Sequence, residues 1–197
     1  MRVLILTHPR SGGRSLLTWI CNELKFKFYH EPTLDQYEEI LVNKNIAVKD
    51  FPHRIIEAGY DINEFVSTFD KVICHSRGNP RDIAISLVYA IEESNKNPEY
   101  RHHELYKIDD EWINERESEI QRMTEYSNKL LEDIKNVNVD SLVTTYEGVF
   151  YNKTDIEKIT NYLGMKRHLW LDILDNKRRL RNGDIGMENL KNSKTLI

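Results

Sequence analysis

Apolar positions change their period repeatedly along this chain, and each change marks a boundary between elements. Val3, Leu4, Ile5 and Leu6 form a continuous apolar run, the pattern of a strand covered on both faces of a parallel sheet. Leu16, Leu17, Ile20, Cys21 and Leu24 then recur at helical spacing. Further strands are predicted at Phe26–Tyr29, Ile46–Lys49, Lys71–Ser76 and Leu142–Thr145. Helices are predicted at Leu34–Val42, Asp61–Phe69 and Pro80–Glu93, the last because Pro suits a first helical turn and Ile83, Ile85, Leu87, Val88 and Ile91 follow it. Asp109–Ile134 reads as one long amphipathic helix. Trp112, Ile113, Ile120, Met123, Leu130 and Ile134 form its core side, and charges such as Glu115–Glu119 form its wet face. Strands alternating with helices predict an α/β fold of three layers, a mostly parallel central sheet flanked by helices. No repeat interrupts the chain, and the polar stretch Ser94–Tyr100 reads as a loop, so residues 1–197 are expected to form a single domain.

Composition narrows the function classes. With 197 residues, 40% hydrophobic and 30% charged, the chain can bury a sizeable core. A formal net charge of −4 argues against nucleic-acid binding through overall positive charge. The strand-like opening leaves no room for a signal peptide and no apolar run approaches a membrane span, so a cytoplasmic protein without a membrane partner is expected. Cys21 and Cys74 lie in apolar settings on different elements and read as reduced core thiols. No residue spacing suits a metal, and His102-His103 in a polar loop reads as solvated surface.

The chemistry lies in the turns. Between the first strand and first helix stands Pro9-Arg10-Ser11-Gly12-Gly13-Arg14-Ser15. Its glycines permit close backbone approach, amides at the start of the helix face an anion, and Arg10 and Arg14 add charge-assisted donors. The stretch approaches a nucleotide-binding P-loop, with Gly13-Arg14-Ser15 in place of Gly-Lys-Ser/Thr. However, His8 occupies the position of the first glycine and an Arg that of the Lys. A second landmark is Lys71–Tyr89. Arg77 ends a strand, where open α/β sheets bind ligands, and Ser86 on the next helix offers another donor. Two anion sites at neighbouring strand ends suit a ligand with phosphates at both ends.

In this order the segments resemble the sulfotransferases that use 3′-phosphoadenosine 5′-phosphosulfate (PAPS). Pro9-Arg10-Ser11-Gly12 resembles the family's loop for the 5′-phosphosulfate. Arg77 through Ser86 resembles its 3′-phosphate segment, with one residue, Gly78, inserted. Tyr146-Glu147-Gly148-Val149 resembles a late-strand motif whose Tyr packs near the adenine, and the helix Thr154–Leu163 ending at Gly164 has its counterpart too. Arg181-Asn182-Gly183-Asp184-Ile185-Gly186 resembles the C-terminal loop that closes over the 3′-phosphate. The resemblance implies a P-loop-like fold, PAPS as sulfuryl donor, 3′-phosphoadenosine 5′-phosphate (PAP) as product, and no metal. It implies cofactor contacts from Arg10, Ser11, Gly12, Gly13, Arg14, Ser15, Arg77, Ser86, Tyr146, Arg181, Asn182 and Gly183. The chain departs from the pattern at Gly13 and Arg14, where the family has hydroxyl residues, and at Met187-Glu188, where Asp-Trp is frequent.

Sulfuryl transfer needs cations beside the leaving phosphate and a base beside the acceptor. Arg10 is the expected leaving-group cation. Glu31 is the expected base, because Phe28-Tyr29-His30-Glu31-Pro32 resembles the strand end of carbohydrate and tyrosylprotein sulfotransferases. Arg10 and Glu31 are expected on adjacent strand ends, on opposite sides of the transferring group. Lys49 has a second claim beside that group, and His30, Asp50 and His53 are alternative bases. The acceptor wall is expected near Tyr89–Trp112 and suits a small-molecule, carbohydrate or peptide acceptor alike. Two competing readings stand: a P-loop kinase, which would need a loop Lys and an acidic Mg²⁺ ligand, and a non-catalytic nucleotide-binding module.

Overall fold

The computed structural model of the chain describes residues 1–97 and 108–165. Five strands, β1 (Arg2–Thr7), β2 (Lys27–His30), β3 (Ile46–Asp50), β4 (Lys71–Ser76) and β5 (Leu142–Thr145), form one sheet in the order β2-β3-β1-β4-β5. Every pairing is parallel: Val3 lies opposite Ala47 and Lys71, Tyr29 opposite Val48, and His75 opposite Thr144. The sheet is therefore wholly parallel, and all its strands end on one edge.

Between the strands run α1 (Gly13–Leu24), α2 (Leu34–Val42), α3 (Pro52–Glu57), α4 (Ile62–Ser67), α5 (Pro80–Lys96), α6 (Asp110–Glu115) and α7 (Glu117–Lys135). Then follow α8 (Tyr146–Phe150) and α9 (Thr154–Leu163). Side chains alternate across a strand. Leu4, Leu6, Val48 and Cys74 join Tyr37 and Ile40 of α2, Ile55 of α3, Phe65 of α4 and Ile134 of α7 in one core layer. On the opposite face α1 covers β1, β2 and β3, with Gly13 over Thr7 and Lys49.

Several expected boundaries move, each for a local reason. β2 starts at Lys27, not Phe26, because Lys25 adopts φ 56° and the Phe26 amide donates back to Cys21 O at 3.1 Å, closing α1. α5 runs on to Lys96 into the expected loop, where Lys96 Nζ meets Glu93 at 2.9 Å. The single helix expected over Asp109–Ile134 is broken at Arg116. The Arg116 side chain takes the Trp112 carbonyl at 3.3 Å, and its amide donates to Ile113 O at 3.1 Å instead. Its Nε also donates to Glu92 on α5. The core side nevertheless packs as expected, with Trp112, Ile113, Ile120 and Met123 against Ala84 and Val88. α3 was not expected; it begins on Pro52 and buries only Pro52 and Ile55, too little to show a period. Tyr146 belongs to no strand: β5 stops at Thr145, whose Oγ1 accepts the Gly148 amide at 2.9 Å and starts α8.

Candidate functional site

The loop from His8 to Gly12 leaves the carboxyl end of the central strand and is fixed mostly by its own polar groups. Ser11 is buried; its hydroxyl bonds that of Thr7 and donates to His8 O at 2.9 Å. Its expected cofactor contact is thus left to its backbone. Two histidines, His8 within it and His75 beside it, hold the loop. His8 Nε2 accepts the Arg77 amide at 3.0 Å while its Nδ1 donates to Pro9 O at 2.8 Å. His75 on β4 donates from Nε2 to Ser11 O at 2.9 Å and pairs through Nδ1 with Thr144 Oγ1 at 2.9 Å. Burial pushes both imidazoles from 6.5 down to about 4, so both are neutral near pH 7, as this bonding pattern requires.

Backbone conformation and close packing call for glycine at position 12, and packing is tight at position 13. Gly12 has φ 81°, and a Cβ there would lie 2.7 Å from Phe150 Cε2; at Gly13 it would lie 3.0 Å from Thr7 Cγ2. The Ser15 and Leu16 amides donate to Gly12 O at 3.0 and 3.2 Å, leaving the Gly13 and Arg14 amides at the open head of α1. Arg14 is exposed there and Ser15 half-buried.

Arg10, at φ 63°, reaches α5 with its side chain: Nε donates to Ser86 Oγ at 2.9 Å. The two expected anion segments therefore meet in space. Arg77, at the end of β4, lies with its guanidinium 5.0 Å from the Tyr146 ring centroid. It also lies 3.7 Å from Asp82 and 3.9 Å from Glu147, yet its Nε is buried without a hydrogen-bond partner. The inserted Gly78 is absorbed locally, its amide donating to Glu147 Oε2 at 3.0 Å. The Tyr146 ring lies tilted against that of Phe150, centroids 4.8 Å apart, beside Gly12.

A second cluster stands at the ends of β2 and β3. Glu31, at φ 52°, donates its amide to Lys49 O at 2.9 Å, and its carboxylate receives Lys49 Nζ at 2.5 Å. The ammonium lies 3.4 Å from the Phe51 ring centroid, and His30 Nε2 lies 3.6 Å from the carboxylate. Because β3 runs between β1 and β2, Arg10 and Glu31 are not on adjacent strand ends as expected. Lys49, beneath Gly13, stands between the loop and Glu31. Burial pulls Lys49 down to about 8 even though Glu31 and Asp50 oppose it. Partial burial pushes the Glu31 carboxyl up, but the Lys49, His30 and Arg54 charges outweigh it and hold Glu31 below its ordinary range. Burial and Lys49 keep the His30 imidazole low as well.

The alternative bases fare differently. Asp50 is fully buried, bonded to Tyr37 Oη, the Phe51 amide at 2.9 Å and Arg54 Nε at 3.1 Å, which leaves it no access to an acceptor. His53 is stacked on Phe51 at 5.5 Å, its Nδ1 buried without a partner, so it belongs to the Lys49 cluster through Phe51. Arg181, Asn182, Gly183 and His102-His103 lie outside the described residues. His75, Arg54 and Glu147 were missed from sequence. His75 had one trace there, a titratable residue inside an otherwise apolar strand. Among the described residues no group of three or more His, Cys, Asp or Glu side chains could hold a metal ion, and no helix is long and apolar enough to cross a membrane. No protein-family model and no curated protein matches the sequence.

Proposed function

We propose that this chain is a PAPS-dependent sulfotransferase, moving a sulfuryl group to a hydroxyl or amine of a small-molecule, carbohydrate or peptide acceptor. The observation that carries the reading is the Arg10 to Ser86 hydrogen bond of 2.9 Å. It joins the two segments that the resemblance assigns to opposite ends of one nucleotide. The residues present fit such a ligand. Arg77 keeps a buried Nε without a hydrogen-bond partner, 3.9 Å from Glu147, and the Gly13 and Arg14 amides stand at the head of α1. PAPS supplies the activated sulfuryl group.

The protein's own part follows from its charges. The Gly13 and Arg14 amides and the Arg10 and Arg14 guanidinium groups bind the 5′-phosphosulfate, Arg10 countering charge on the leaving side. Arg77 and Ser86 bind the 3′-phosphate and Tyr146 packs on the base. Lys49, charged below about pH 8, keeps Glu31 ionised. Glu31 would accept the acceptor's proton on its carboxylate as the acceptor atom bonds to sulfur and the sulfur–oxygen bond to the 5′-phosphate breaks, with PAP as leaving group. A cytoplasmic location goes with the proposal, since Cys21 and Cys74 are buried free thiols. The kinase reading lacks support at the end of β3, where Asp50 is spent on Tyr37, Phe51 and Arg54.

The test uses labelled PAPS with a panel of sugars, phenols and peptides, and melting curves with nucleotides. PAP is expected to raise the melting temperature by mass action, far more than ATP. Glu31→Gln should bind PAP normally but turn over roughly 100-fold more slowly, whereas Arg10→Ala should lose both binding and turnover. Mg²⁺-dependent stabilisation by ATP would favour the kinase. PAP binding with no transfer to any acceptor would favour a nucleotide-binding module.

A further inference from the structure

Glu31 occupies a backbone conformation that side chains seldom adopt, φ 52°, and such conformations persist only where the surroundings over-determine them. The next residue is Pro32, which has no amide to help fix the turn. Arg54 of α3 does so from outside. One guanidinium nitrogen donates to both Glu31 O, at 3.2 Å, and Pro32 O, at 2.8 Å, while its Nε donates to Asp50 Oδ1 at 3.1 Å. Asp50 is itself immobilised, fully buried with bonds from the Tyr37 hydroxyl and the Phe51 amide. A line of contacts thus runs from α2 through the end of β3 and α3 to the turn that carries Glu31.

We infer that Arg54 is a positioning residue. By clamping the Glu31–Pro32 turn against Asp50, it aims the Glu31 carboxylate at Lys49 and the transferring group. The inference rests on the reading of Glu31 as the base. Only a planar fork serves here, because one nitrogen must donate to a carboxylate while another donates to two carbonyls; an ammonium is a single point. The charged groups around the carboxylate are Lys49 from β3, His30 from β2 and Arg54 from α3, with Arg14 of α1 acting on His30.

The test compares full-length wild type with Arg54→Lys, Arg54→Met and Tyr37→Phe. It reads PAP binding by melting temperature, the Glu31 carboxyl titration by carbon-13 NMR, and kcat and KM with labelled PAPS. In both Arg54 variants PAP affinity is expected to stay within about twofold, while the Glu31 titration moves up toward the ordinary carboxylate range. kcat should fall at least about tenfold with KM for PAPS unchanged, the mark of a lost transition-state contact. Arg54→Lys separates aiming from charge. If it titrates and turns over like wild type, Arg54 acts by charge alone and the inference is overturned. Tyr37→Phe keeps the ring but frees one Asp50 oxygen, so it should shift Glu31 the same way by less. It decides the matter if the Arg54 variants fail to fold, and an unmoved Glu31 there overturns the inference. Absence of turnover in wild type would instead refute the base assignment, and the NMR titration would still report on the clamp.

Discussion

His8 spends both ring nitrogens on the loop, accepting from Arg77 and donating to Pro9. A proton on Nε2 would set two donors face to face. Its pKa in the fold is about 4 against an ordinary 6.5, so between those values the unfolded chain binds the proton and the folded one does not. Stability should therefore fall as pH drops from 6.5 to 4, by at most roughly 3 kcal/mol from this residue. Urea midpoints at pH 7 and 4.5 check the point. His8→Gln should be less stable than wild type at pH 7 and lose less on acidification, and a parallel pair of curves would count against the account. At this scale the sequence reveals Arg10, Lys49 and Glu31, because charged residues just beyond apolar runs stand at strand ends wherever the strands go. Their partners are not legible. That Lys49 meets Glu31, or that His8 holds Arg77, depends on which strand lies beside which, and no local pattern of apolar positions carries that.

Among the elements, the corner between β1 and α1 is set by its packing on α8. Gly12 combines φ 81° with only 2.7 Å between a built Cβ and Phe150 Cε2. Gly12→Ala must both strain the backbone and push the aromatic pair of Tyr146 and Phe150 aside. A loss of about 2 kcal/mol is expected, a melting temperature lower by roughly 5 °C, and PAP binding weakened at least tenfold. Titration calorimetry and melting curves measure both. Strands and most helices could be read from apolar period alone, since burial imposes it. The misses, α3, the break at Arg116 and the start of α8, share a cause. Each is decided by a single side chain or cap: Pro52 at the head of α3, the Arg116 guanidinium on Trp112 O, the Thr145 hydroxyl on the Gly148 amide. Such bonds leave no periodic trace.

For the molecule as a whole, the parallel α/β architecture was legible because strands and helices alternate. The strand order was not, and it governs more than the site. β1 sits in the middle of the sheet, pairing Arg2 with Ile46 on one side and Val3 with Lys71 on the other, so its neighbours arrive from far along the chain. Closing such distant contacts costs loop entropy before any pairing repays it, and refolding should take milliseconds to seconds, not microseconds. Until β4 docks, the apolar Val3–Leu6 segment presents an open hydrogen-bonding edge, a template for a second unfinished chain. Refolding from urea should accordingly scatter more light and return less native protein as chain concentration rises, and a yield independent of concentration would show that β4 joins before β1 is exposed. The central placement that puts the loop and its arginine among the strand ends thus makes the same strand the chain's most vulnerable segment on its way to the fold.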